Sequence, residues 1–406
     1  MNRKQFGILL VLVVVLGSLG LILRRNQSDS WTTGNAASGA KLLGNFPVND
    51  VLQISIRRGA NEVNLVKKDD LWRVSERRDY PANFSQISEF LLKVRDLKIV
   101  QSEQVGPSQL PGLQLAPPGQ GTNSALVVEF KGPQDKTLKT LLLGKPHLKK
   151  SDRTSQLGGE DEGWPDGRFV KVSGSESVAL ISDPLENIEP RPESWLNKDF
   201  VRIEKARTVT VAFPQATNSW KLTRDTEMGD WTLAGLKPGE QLDLSKTAAF
   251  SNPLGSAAIV DVEAAHRLDP ADTNTPVLMT IDTFDAFEYA IKIGVKTNDN
   301  YPVNLTVTAR IPQERIVGKG EKTEDKASLD KEFTVRRQKL QEKFQQEQGF
   351  ENWTCLVSSW VFDPLLKERA QLLLDKSQDG KKDANGAADG SSKPGPNENA
   401  PAPAVE

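Results

Sequence analysis

Cys355, His147 and His266 are the residues best suited to nucleophilic or acid–base chemistry in a chain of 406 residues with one Cys and two His. Covalent catalysis needs a nucleophile, a base and a group that orients the base. Cys355 sits in the apolar strand pattern 353–360, the setting of a small buried residue. His147 follows Pro146 at a Lys-rich hairpin exit, and His266 lies between Ala265 and Arg267, so both read as surface residues. No Gly-x-Ser-x-Gly elbow accompanies them. One cysteine excludes a disulfide framework, a thiolate zinc cluster and an iron–sulfur centre. The acidic loop 159–162 with Asp166, and a second at 269–272, lack the alternating spacing of an EF-hand. Gly318-Lys319-Gly320-Glu321-Lys322 lacks the Walker spacing and a preceding strand, and reads as a solvated turn. Lys and Arg total 52 against 54 Asp and Glu, a net charge of −2 that gives no bulk electrostatic case for nucleic acid. The chain is therefore expected to be non-enzymatic, with no metal and no cofactor.

The elements that would position any site repeat. Leu52, Ile54 and Ile56 alternate with polar residues, the period-two pattern of a half-buried strand. A second strand at 62–66 and a third carrying Leu71-Trp72-Arg73-Val74 follow across Gly59-Ala60-Asn61 and Asp69-Asp70 turns. The plan recurs at 208–213, at Trp220-Lys221-Leu222 and around Trp231, about 160 residues later. Asn83 is placed as the N-cap of a helix whose apolar stripe is Phe84, Ile87, Phe90, Leu91, Val94 and Leu97. Its counterpart spans 243–262 with Leu244, Ala248, Phe250 and Leu254, and Pro253 is expected to break or kink it.

Each unit then carries a hairpin, 125–144 and 277–294, and a closing strand pair, 168–181 and 303–357. Each ends on an Asp-Pro-Leu helix start, at Asp183 and at Asp363. Trp195-Leu196 is expected to dock a helix end between the units. Clustered aromatics can also form sugar-binding platforms, and the chain has eight Trp. Their equivalent strand positions favour core packing for Trp72 and Trp231, and for Trp353 and Trp360, which flank one strand.

Residues 6–23 carry no charge and would make a helix about 27 Å long, enough to span a bilayer core. Arg24 and Arg25 follow the apolar run where a signal peptide would need small residues, which favours an uncleaved anchor over a late-cleaved signal. The expected organisation is a cytoplasmic stub and anchor at 1–25 and a flexible tether at 26–45. Two α+β units of mainly antiparallel sheet follow at 46–200 and 201–375. The second carries a charged insertion at 311–350, and 376–406 is a disordered tail too poor in apolar residues to pack. In the insertion, Ser328 is taken as an N-cap, and Leu329, Phe333, Leu340 and Phe344 form a narrow seam on a charged helix. That seam suits either a helix packed on its own unit or a partner-binding arm.

The single N-terminal span, the Val51-x-x-Ile54-x-Ile56-x-Arg58-Gly59 strand and the Leu71-Trp72-x-Val74 hairpin resemble one group of bacterial envelope proteins. The helix after Tyr80-Pro81-Ala82 and the strand ending Leu142-Leu143-Gly144 do so too. The group is catalogued as domain of unknown function 4340. The insertion and the 351–365 segment look like the version in planctomycete and verrucomicrobial relatives. The resemblance carries no catalytic residues. It implies an accessory role beside an ABC-type exporter permease and a gliding-motility-type auxiliary protein. The expected protein is then a single-pass component of a bacterial inner membrane with a periplasmic body. A periplasmic module that binds glycan or peptide is the rival reading.

Overall fold

A computed structural model describes residues 38–117, 123–149, 163–264, 276–318 and 321–374. The proposed anchor at 6–23, most of the tether, the acidic loops 159–162 and 269–272, His266 and the tail lie outside the described residues. Among the described residues, no helix is long and apolar enough to cross a membrane.

Two mainly antiparallel sheets carry the fold. The first is built from β1 (Gln53–Arg58), β2 (Asn61–Lys68), β3 (Leu71–Val74), β4 (Tyr80–Pro81), β5 (Ile99–Gln104), β6 (Leu126–Lys131), β7 (Thr137–Lys149), β8 (Trp164–Val172) and β9 (Ser177–Ile181). Its strand order is β4-β3-β2-β1-β6-β7-β8-β9-β5. The second uses β10 (Ala206–Ala212), β11 (Trp220–Thr223), β12 (Thr232–Leu233), β13 (Ile259–Ala264), β14 (Val277–Thr283), β15 (Phe287–Ile293), β16 (Asn300–Ala309) and β17 (Trp353–Ser358). Its order, β12-β11-β10-β14-β15-β16-β17-β13, is that of the first sheet without β4. Each sheet thus runs as a hairpin set and a meander, with the strand that follows the helical segment returning to the far edge.

Local chemistry explains most of the elements. Lys68 pairs with Leu71 across a two-residue turn in which Asp69 and Asp70 have φ of 50° and 61°, the geometry that matches strand twist. Ile54 and Ile56 are wholly buried by alternation. Leu52 is 36% exposed, because the chain comes out of a 3-10 turn at Val48–Asp50 that puts Val51 in the core instead. Gly144 closes its strand motif for a steric reason, since a Cβ there would lie 2.4 Å from the Leu113 carbonyl oxygen.

The helix α1 (Phe84–Asp96) starts where expected, with the Asn83 side chain accepting from the Gln86 backbone N–H at 3.1 Å. Ile87, Phe90, Leu91 and Val94 are buried, while Phe84, in the first turn, is exposed. The counterpart at 243–262 is reduced to a 3-10 turn, Leu244–Phe250, capped by Asp243. Phe250 and Leu254 are buried but Leu244 and Ala248 are exposed, as the tighter turn and Pro253 remove the α-helical stripe.

Neither Asp-Pro-Leu segment begins a helix. Asp183 turns its carboxylate to the Leu185 N–H at 2.7 Å, closing a local turn. Asp363 follows the short helix Ser359–Phe362 and spends its carboxylate on the Tyr301 hydroxyl (2.9 Å) and Lys296. The insertion helix α2 (Thr323–Gln348) begins five residues before Ser328 and has no side-chain cap. Glu324 and Asp325 in its first turn offset the helix dipole instead.

One continuous apolar cluster runs from Leu43 to Leu372 and takes in the inner faces of both sheets. Trp72, Trp220 and Trp231 are buried in it, and Trp195 is fully buried. Trp360 is exposed, so core packing does not account for it. The connector between the sheets, residues 182–205, is stitched to each. Ala82 bridges to Leu196 on one side and Asp199 to Ala258 on the other, and the Trp195 indole N–H donates to the Glu189 carbonyl at 2.8 Å. A 3-10 turn, Pro192–Trp195, is the element that Trp195 docks.

Candidate functional site

The connector, the last turn of α2 and strands β4 and β17 meet at the junction of the two sheets. Arg77, just before β4, makes a two-pronged ion pair with Asp261 of β13, both contacts at 2.7 Å, with Glu193 of the connector 3.6 Å away. The pairing holds the Arg77 guanidinium above its usual range, chiefly through the Asp261 hydrogen bonds. Beside it the Tyr80 and Trp353 rings stand edge to face at 5.0 Å, joining the first sheet to the second.

Tyr80 and Trp353 line a cleft of about 430 Å³ together with Asp199, Arg202 and the C-terminal turn of α2. At its base Lys343 donates to Glu347 at 2.6 Å and to the Arg202 carbonyl at 2.7 Å. Glu347 is buried and accepts the Tyr289 hydroxyl at 2.8 Å. Burial, then the Glu347 carboxylate, pushes the Tyr289 phenol far above its usual range. Lys343, Glu347 and Tyr289 satisfy one another and bring no nucleophile to the cleft.

The seam residues separate. Leu340 and Phe344 pack on the central core, Phe344 edge-on to Phe287 at 6.3 Å. Leu329 and Phe333, nearly three turns further out, are half-buried and lie outside that cluster. The outer part of α2 is braced by Arg315, which pairs with Glu321 and Asp330, and by Arg336, which pairs with Asp285. His147 hydrogen-bonds Asp166 at 2.6 Å, edge-on to Phe169, on the first sheet and away from the junction. Among the described residues, no three His, Cys, Asp or Glu side chains cluster as a metal site.

Cys355 is 1% exposed on β17, and burial raises its thiol to about 12. Ellman's reagent at pH 8 should therefore leave the native thiol unmodified and label it once the chain is unfolded; labelling of the native protein at the unfolded rate would place Cys355 at the surface. A proton kept in the folded state and lost in the unfolded state stabilises the fold below pH 9.0, the ordinary thiol value. That contribution should fade as pH rises toward about 12, and be absent from Cys355→Ala in alkaline melts.

The junction residues Tyr80, Asp199, Arg202 and Glu347 carry no sequence signature as a site; the only local hint is the Lys343/Glu347 spacing on α2. A family model described as Domain of unknown function (DUF4340) matches residues 72–276, half of the chain. The chain belongs to the DUF4340 family. The match runs from β3 across the connector to the edge of β14, so it includes Arg77, Tyr80, Asp199, Arg202 and Asp261 and stops short of α2 and β17. The DUF4340 region thus spans the connector and coincides with neither sheet alone. No curated protein and no solved structure matches the chain.

Proposed function

We propose that this DUF4340 protein is a non-enzymatic, membrane-anchored accessory protein whose periplasmic body scaffolds an ABC-type transport complex in a bacterial inner membrane. In this reading residues 6–23 are the anchor, and the two units are tandem copies of one α+β plan. The shared strand order of the two sheets supports the duplication. Contact with a permease and an auxiliary envelope protein is made by surfaces rather than by a reaction.

The observation that carries the reading is the division of α2. Its inner end is locked to the core by Leu340, Phe344 and the Lys343–Glu347–Tyr289 contacts. Its outer part, about 25 Å of helix, carries Leu329 and Phe333 among exposed charged residues. A rigid helix rooted in a core and apolar at one stripe of its outer part is suited to partner contact. Leu329→Asp with Phe333→Asp should leave the melting transition within about 1 kcal/mol of wild type while at least a tenfold loss of partner recovery is seen in pull-downs from native membranes. Undiminished recovery with the double variant folded would reject the arm as the interface.

A further inference from the structure

The cleft at the junction holds polar groups that its own fold leaves idle. The Tyr80 ring is buried, 3% of the residue being exposed, while its hydroxyl, which makes no hydrogen bond among the described residues, stays open to the cleft. A hydroxyl fixed by its ring at a cleft wall, with no partner in the protein, is free to donate to and accept from a ligand. Asp199 and Arg202, both solvent-exposed, stand at the mouth of the same cleft, and their side chains make no hydrogen bond or ion pair among the described residues that a ligand would have to displace. The neighbouring charges behave differently: Arg77 pairs with Asp261, Lys343 with Glu347, and Lys198 donates to the Val260 carbonyl. Trp353 is half-buried at the rim, its ring fixed by the perpendicular Tyr80 ring.

We propose that the cleft is a saccharide site, in which a neutral pyranose ring stacks on Trp353 while its hydroxyls bond Tyr80, Asp199 and Arg202. The chemistry of the four groups selects this class. A carboxylate that accepts and a guanidinium that donates match adjacent hydroxyls, each of which can do both. Their charges cancel, which favours an uncharged ligand. An indole face complements the C–H face of a sugar ring, and the volume falls within the range of about 300–1,000 Å³ common for small-molecule sites. A peptide added as a strand would need a free sheet edge at the cleft. That edge is taken, because the Asn197 N–H donates to the Pro81 carbonyl at 2.9 Å and Ala82 bridges to Leu196. Since the ligand would touch β4, the connector and β17 together, binding would also bear on how the two sheets are held.

The test is a fluorescence titration of the full chain in a non-glycosidic detergent with chitotriose, cellotriose and maltotriose, and with tetraalanine as the peptide probe. At least one trisaccharide should bind saturably. Tyr80→Phe, which removes only the hydroxyl and keeps the ring packing, should weaken that binding roughly 3- to 10-fold. Trp353→Ala should weaken it at least about tenfold. The proposal is overturned if none of the three sugars saturates, or if Tyr80→Phe binds as wild type does. Saturable binding of tetraalanine alone would overturn it too and give the cleft to peptide. The Tyr80→Phe comparison stands even if Trp353→Ala fails to fold.

Discussion

Trp195→Ala should cost roughly 3–5 kcal/mol in denaturant melting, the range for removing a fully buried large aromatic. Trp195 has no exposed surface, lies 5.9 Å from the Phe90 ring, and anchors its indole N–H on the Glu189 carbonyl. Its own backbone carbonyl accepts the Asn83 N–H at 2.8 Å, so it also positions the start of α1. The loss therefore combines a cavity, an orphaned carbonyl and a loosened connector. Because the connector is stitched to both sheets, one transition should move as a whole. A loss below about 1 kcal/mol would show that the connector is not part of the core.

Glu347→Ala should destabilise the chain by roughly 2–4 kcal/mol, below the about 3–5 kcal/mol of a fully buried pair because the Lys343 side chain is 33% exposed. It leaves the Tyr289 hydroxyl and the Lys343 ammonium without the carboxylate that each now meets. Glu347→Gln keeps an acceptor for Tyr289 and should cost about 1–2 kcal/mol. Equal melting of Glu347→Ala and wild type would mean that the root of α2 is held by Leu340 and Phe344 alone. The pair of variants thus separates polar from apolar anchoring of the helix.

The strands were legible because alternation reports burial directly, and Ile54, Ile56 and the tryptophans at 72 and 231 follow it. The Asn83 cap was legible for the same kind of reason, as an asparagine placed just ahead of an apolar stripe. Where a polar side chain had a competing partner, the local rule failed. Asp183 closed a turn instead of capping a helix, and Asp363 was drawn to Tyr301 and Lys296. Ser328 lost its role because a charged sequence of high helix propensity extends back to Thr323. Leu329, Phe333, Leu340 and Phe344 read as one seam, but only the latter two reach the central core.

The cleft was not legible at all. Tyr80, Asp199, Arg202, Lys343 and Trp353 come from four separate segments, and no spacing along the chain brings them together. What assembles them is the return of β17 alongside β13 and the stitching of the connector to both sheets.

An affinity pull-down of the full-length chain from native membranes in mild detergent, read by mass spectrometry, tests the accessory role most directly. Recovery of an ABC permease, its ATPase and an auxiliary envelope protein at abundance comparable to the bait is the predicted result. Recovery of the bait alone, in detergents that keep such complexes intact, would contradict it.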